Sequence, residues 1–317
     1  MKIIIIGLAI TAVVLTGYRC LGGGGGTNEV YAQIACADVN NDGRLNDADA
    51  ENLAQLPDFN GDGRHDDADA AFLRGIDISL DPAGKQIACA HKNKDVGPEW
   101  SVFEPGTQQL SCDGDKKAVL ILGIGGGVTN LKGNDAAGVK QIIEDARSTF
   151  EGKGVHTVTI LSGQAVNSAA SVNSAMELWI AHATQTLLEA YPCLRVVIVG
   201  HSHGAIVADV AAAKLEATYA DRFVEVVDLD RVEALYSGDT KTWPSRIPVF
   251  NVYETSDPKL HGEARDASNV TNWDATGEKG PKNGDKGGPL APVDHTTIDN
   301  SASVRARIIA DVLSHWQ

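Results

Sequence analysis

Gly200-His201-Ser202-His203-Gly204 places a serine between two glycines at the spacing of a nucleophile elbow. Such a serine can attack an acyl carbonyl if a base removes its proton and fixed N–H donors hold the oxyanion. The flanking residues supply what an elbow requires. Val196, Val197, Ile198 and Val199 read as a buried strand, and the alanine-rich run from Ala205 to Glu216 reads as a helix. Between them, Gly200 and Gly204 let Ser202 take a strained backbone with its hydroxyl raised above the sheet. Without this strand–turn–helix order, the same pentapeptide is an ordinary turn whose serine caps a helix.

The histidines after Ser202 are His203, His261, His295 and His315. His203 belongs to the elbow and His315 to a closing helix. His295, in Pro292-Val293-Asp294-His295-Thr296-Thr297-Ile298-Asp299, stands just ahead of that helix and is the expected base, with His261 second. Asp228, Asp230 and Asp257 compete to orient it. Strand alternation puts Asp228 and Asp230 on one face, and Asp230, nearer the rim, has the better reach to a loop histidine. The oxyanion donors are expected to be the backbone amides of His203 and of Ile124 and Gly125, in the glycine-rich stretch Gly123 to Gly127. Those glycines could instead cradle a phosphate, but no Gly-Lys-Ser/Thr follows them.

The elements that must position these residues form an α/β pattern from Lys117 onward, with a mainly parallel sheet covered by helices on both faces. Strands are expected at Ala118–Leu122, Val155–Leu161, Val196–Val199, Phe223–Leu229 and Ile247–Tyr253. Helices are expected at Asp135–Phe150, Ser168–Ala190, after the elbow, and at Ser303–Trp316. The polar, glycine-rich stretch His261–Val293 reads as a loop over one rim.

The 317-residue chain has a formal net charge of −15, which excludes nucleic acid as a partner. Much of the acid lies between Asp38 and Asp69, and its order is periodic. Asp38-Val39-Asn40-Asn41-Asp42-Gly43-Arg44-Leu45-Asn46-Asp47-Ala48-Asp49 has side-chain oxygens at positions 1, 3, 5, 9 and 12 and a glycine at position 6. Asp58-Phe59-Asn60-Gly61-Asp62-Gly63-Arg64-His65-Asp66-Asp67-Ala68-Asp69 repeats the pattern. This spacing suits Ca²⁺, a hard cation that takes six to eight oxygens. Two structural ions are expected, on Asp38, Asn40, Asp42, Arg44 and Asp49, and on Asp58, Asn60, Asp62, Arg64 and Asp69. Position 12 is aspartate rather than glutamate, and residues 36 to 80 resemble a dockerin-type duplicated, EF-hand-like calcium module. The resemblance implies a cohesin-like partner, while a structural calcium staple needs none.

Lys2, the apolar run Ile3–Leu15 and a polar exit describe an export signal over residues 1–20. Cys20 followed by Leu21 and five glycines resembles the lipid-accepting cysteine of a bacterial lipoprotein, so both a lipid-anchored envelope protein and a freely secreted one fit. Residues 21–35 read as a tether, 36–90 as the calcium module and 91–317 as the α/β domain. Cys36, Cys89, Cys112 and Cys193 make an even set that suggests two disulfides, with free buried thiols as the alternative.

From 223 to 299 the chain resembles bacterial lipase-like α/β-hydrolases, in which a strand ending Asp-Pro-Val is followed by an Asn-Tyr-Tyr strand and a loop bearing His and Ile-Asp. Asp230-Arg231-Val232, Asn251-Val252-Tyr253 and His295-Thr296-Thr297-Ile298-Asp299 stand at those points, with Arg231 in place of the proline. The resemblance implies an α/β-hydrolase fold and an exported serine esterase or lipase acting through Ser202, His295 and Asp230, with no cofactor for catalysis. In that fold the strands after Cys112 and Cys193 are parallel neighbours, which pairs Cys112 with Cys193 and leaves Cys36 for Cys89. The rival reading is an inactive hydrolase-fold surface protein whose calcium module serves attachment.

Overall fold

A computed structural model describes residues 38–40, 42–56, 65–79, 112, 117–126, 137–164, 170–233, 240–281 and 289–316. The export signal, Cys20, the tether, Cys36, Cys89 and the loop residues Asp58, Asn60, Asp62 and Arg64 lie outside the described residues. In chain order the elements begin with β1 (Arg44–Leu45), α1 (Asp47–Ala50), α2 (Asp67–Ala70) and β2 (Ile78–Ser79). There follow β3 (Ala118–Gly125), α3 (Ala137–Gly152), β4 (His156–Gln164), α4 (Ala170–Ala190), β5 (Leu194–His201), α5 (His203–Tyr219) and β6 (Phe223–Leu229). The chain closes with β7 (Val249–Tyr253), β8 (Val270–Asp274), β9 (Lys279–Pro281), β10 (Leu290–Pro292) and α6 (Ala302–His315).

Six strands make one sheet in the order β4-β3-β5-β6-β7-β8, and every neighbouring pair is parallel. Parallel strands need crossovers, and the helices that supply them cover both faces. On one face Leu120, Leu122, Val196, Ile198 and Val226 meet Trp179 and Ile180 of α4 and Val207, Ala208 and Ala211 of α5. On the other, Val119, Ile121, Val197 and Val199 meet Val139, Ile142 and Ile143 of α3 and Val304, Ile308 and Val312 of α6. β3 is buried along its whole length, as a central strand covered on both sides must be. The α/β-hydrolase layout expected from the sequence is this one.

One expectation needs correction. The stretch His261–Val293 is not simply a rim loop: Val270–Asp274 joins the sheet as its sixth strand, and β9 pairs antiparallel with β10. β8 lies at the edge with most of its side chains half-buried or exposed, so it shows no apolar period. Side-chain amides help hold it. Asn251 Nδ2 donates to Asn272 Oδ1 at 2.8 Å, and Asn269 Nδ2 donates to the carbonyls of Pro244 and Ile247.

The acidic region is a small unit built on the repeat. α1 and α2 have the same sequence, Asp-Ala-Asp-Ala, and each follows its loop as a single turn. β1 pairs antiparallel with β2. Leu45, Ala50, Ala70, Phe72, Leu73 and Ile78 are buried and continuous with the core beneath α4, where the Phe72 and Trp179 rings lie 6.0 Å apart. The unit therefore shares its core with the sheet domain.

Cys112 and Cys193 form a disulfide across 81 residues of chain, beside the parallel starts of β3 and β5. Cross-linking a loop of this length restricts the unfolded chain. Replacing both cysteines with serine is expected to lower stability by about 2–4 kcal/mol, read as an earlier urea midpoint at unchanged slope. An unchanged midpoint would show that the bridge restricts nothing the unfolded chain explores.

Candidate active site

The elbow forms where β5 ends and α5 begins. Ser202 has φ 56° and ψ −124°, a left-handed backbone rare for a side chain of its kind. Its N–H donates to Leu229 O at 2.9 Å, tying the turn to the end of β6. The turn leaves no room at its flanks. A Cβ on Gly204 would stand 2.3 Å from Ile124 O, and one on Gly200 would stand 2.5 Å from Gly204 O. Glycine is required at both positions because backbone, which cannot swing aside, fills the space.

Two further segments converge on Ser202. His295 Nε2 lies 2.9 Å from Ser202 Oγ, and His295 Nδ1 lies 2.5 Å from Asp230 Oδ2. All three side chains are buried. Asp230 follows β6 with φ 46°, so alternation ends at Leu229 and its carboxylate turns toward the histidine. Its other oxygen accepts the N–H groups of Gly262 at 2.7 Å and Glu254 at 3.1 Å, which fixes the carboxylate's orientation. His295 sits in the turn Asp294–Thr297, where Asp294 Oδ1 accepts from Thr296 N at 3.0 Å. A hydroxyl, an imidazole and a carboxylate in this row can move a proton from serine to histidine while the carboxylate holds the ring and its developing charge.

His201, which the motif alone did not single out, braces the base. Its Nε2–H donates to His295 O at 2.9 Å, and the two rings stack 5.0 Å apart. Burial, then the neighbouring His295, lowers His201 to about 3, so it stays neutral and cannot compete for the serine proton. Its only sequence signal is its place beside Ser202 inside the elbow.

The competing residues are engaged elsewhere. Asp228 Oδ2 lies 2.6 Å from Arg265 Nη1, and Asp257 Oδ1 caps a turn by accepting from Lys259 N and Leu260 N. His261 Nδ1 lies against Gly262 O. Arg231, at the position of the absent proline, is buried, with Nε 3.0 Å from Asp209 Oδ2 and Nη2 donating to Thr240 O at 2.6 Å. Arg265 Nη2 reaches the same Asp209 oxygen at 2.7 Å. The two guanidiniums, with Asp209, Asp228 and the half-exposed Glu233 that also meets Arg231 Nη1, thus tie down the chain segment carrying Asp230.

The glycine-rich stretch expected to turn after Leu122 continues as strand instead. Ile124 and Gly125 are not in a turn: both lie in β3, with Ile124 paired to Gly200 on one side and Ser162 on the other. The strand continues because Gly123 and Gly125 are accommodated in the ladder rather than breaking it. Gly126 is the backbone that reaches the serine, since a Cβ there would stand 2.5 Å from Ser202 Cβ. His203, the other expected donor, opens α5 directly after Ser202.

No family model matches the chain, and no curated protein sequence does. Among solved structures it is similar to XC6422 of Xanthomonas campestris, an α/β serine hydrolase without a lid. There the identity is 11% and the TM-score 0.40, over 65% of this chain and 85% of that one. It is also similar to a protein of Agrobacterium vitis S4 named as a hydrolase, at 12% identity and TM-score 0.35, over 63% of this chain and 88% of that one.

If Asp230 orients the base, Asp230→Asn is expected to lower acyl-transfer turnover by a factor on the order of 10⁴, with the fold retained. Asp257→Asn is expected to change it by less than about tenfold. Equal losses in the two variants, measured on one soluble ester, would reassign the acid.

Proposed function

We propose that the chain is an exported serine hydrolase that cleaves carboxylic esters through an acyl-enzyme on Ser202. The hydrogen-bonded row Ser202–His295–Asp230 carries this reading, reached from three separate segments on a strained elbow. Ser202 Oγ attacks the ester carbonyl as His295 Nε2 takes its proton. The oxyanion is held by the backbone amides of His203 and Gly126. His295 then protonates the leaving alcohol, and water repeats the sequence in reverse to free the acid. Asp230 remains a carboxylate throughout and steadies the imidazolium. The substrate is a small-molecule or lipid ester, and the chemical step uses no cofactor. Replacing Ser202 or His295 with alanine should reduce turnover of a p-nitrophenyl ester by a factor on the order of 10⁴ or more at unchanged thermal stability. Retained turnover in either variant would remove that residue from the reaction.

The acidic repeat is read as a calcium module over residues 36–90, ahead of a catalytic domain over 91–317. The first loop fits a hard cation. Asp38 and Asp49 are buried, and their carboxylates accept backbone N–H groups from Gly43, Val39 and Asn46, each at 3.0 Å. Asn40 and Asp42 lie on the same loop, and the Arg44 side chain turns away to Asp77 at 2.5 Å. Burial raises the Asp49 carboxyl, so an ion there would replace a proton or an uncompensated charge. In the second loop, Asp69 Oδ2 accepts from Asp66 N at 3.0 Å, as Asp49 does from Asn46. The ion's contribution is structural. Export, with or without a lipid on Cys20, rests on the N-terminal pattern, and a cohesin-like partner rests on the dockerin resemblance alone. No helix among the described residues is long and apolar enough to cross a membrane.

Chelation is expected to expose the acidic loops to protease while turnover of a small soluble ester persists. At a hundredfold excess over Kd, the ion stabilises its folded module by about 2.7 kcal/mol. Immediate loss of turnover with the sheet domain still folded would give the metal a part in the reaction.

A further inference from the structure

Away from the serine, β6 carries a feature that ester hydrolysis does not use. Its pairing with β5 shifts between Val196, opposite Phe223, and Val197, opposite Glu225, so Val224 is an extra residue in the ladder. A bulge re-aims the side chains that follow it. Here Val224 joins the core on the α6 face, and Glu225, opposite Val197 of that same core, turns toward α6 as well. A glutamate thus stands fully buried beneath the closing helix.

What meets it is a matched pair. Asp311 and His315 are four residues apart on α6, so they share one helix face. His315 Nδ1 lies 3.2 Å from Glu225 Oε1 and 3.7 Å from Asp311 Oδ2. The three ligand-type atoms all fall within 4.8 Å of one another. Beyond these approaches, which become ion pairs or hydrogen bonds only if a proton is shared among the three side chains, neither Glu225 oxygen, Asp311 Oδ2 nor His315 Nδ1 has a hydrogen-bond partner. Polar atoms gathered at one buried point are costly unless a proton or an ion occupies the space between them.

We propose that Glu225, Asp311 and His315 form a zinc-type metal site that fastens α6 to β6, separate from the serine site and from the acidic loops. Imidazole nitrogen with two carboxylates is a donor set that suits Zn²⁺ rather than Ca²⁺. Tetrahedral zinc with bonds of about 2.0–2.1 Å has ligand–ligand edges of about 3.3 Å, near the 3.2 Å between His315 and Glu225, while Asp311, 3.7 Å from His315, closes in by a small side-chain shift when the ion binds. The fourth position is left for water. The competing occupant is a proton, because burial and then Asp311 push the Glu225 carboxyl up to about 9. A proton satisfies one oxygen, whereas a divalent ion engages all three side chains and offsets both acidic charges.

The test uses the full chain, stripped of metal and returned to excess calcium so that the acidic loops are filled. Zinc chloride is titrated in by calorimetry, and thermal unfolding is followed with and without zinc. The site predicts a binding step of one equivalent that raises the unfolding midpoint, and visible absorption of the tetrahedral type when Co²⁺ is substituted. His315→Ala, at the half-exposed end of α6, should lose the binding step and the thermal shift while remaining folded. Glu225→Gln, which keeps the shape of the protonated side chain, should lose both as well. No zinc binding by the parent chain, or binding unchanged in both variants, overturns the proposal in favour of a proton shared among the three side chains.

Discussion

The left-handed backbone at Ser202 is the constraint on which the rest of the site depends. A residue held in such a conformation costs on the order of 1–3 kcal/mol, so its surroundings must enforce it. Here the enforcement is by hydrogen bonds and close packing. β5 enters the turn between β3 and β6, the Ser202 amide is taken by Leu229 O, and Gly204 lets α5 lie against the Ile124 carbonyl. Raising the hydroxyl above the strand ends also decides where its partners can come from. Asp230 arrives from the end of the next strand, and His295 arrives from the turn ahead of α6.

Two aspartates separated by one residue have opposite fates, and their surroundings explain why. Asp228 is still in β6 and is neutralised by Arg265, which it shares with Asp209 of α5. Burial raises both carboxyls, and the guanidiniums of Arg265 and Arg231 oppose that rise. Asp230, one residue past the strand, turns away from this cluster toward His295. The ion cluster holds the segment that leaves the strand on both sides of Asp230. Such clusters add little net stability, yet removing one member costs about 3–5 kcal/mol because an uncompensated charge is left buried.

The sheet was legible wherever burial wrote a continuous apolar run, as in Phe223–Leu229, whose bounds agree with the observed strand. Asp230 and His295 could be ranked first because chain order and strand ends restrict what can reach a serine. β8 was not legible because an edge strand exposes its side chains and is held by Asn251 and Asn269, which carry no period. The glycines after Leu122 read as a turn, but Gly123 is paired on both sides, and β3 runs on to Gly125, which pairs only with Gln164 after a register shift. The partnership of Glu225 with Asp311 and His315 spans about ninety residues of chain and depends on a bulge, which no local pattern announces.

The proposed function stands or falls with Ser202 Oγ as the nucleophile of this row. The most direct measurement treats the folded chain with a fluorophosphonate and locates the adduct by intact mass and peptide mapping. One adduct per chain is expected, on the peptide containing Ser202, and none when Ser202 is alanine. An adduct at any other residue, or a folded chain that stays unlabelled, would contradict it.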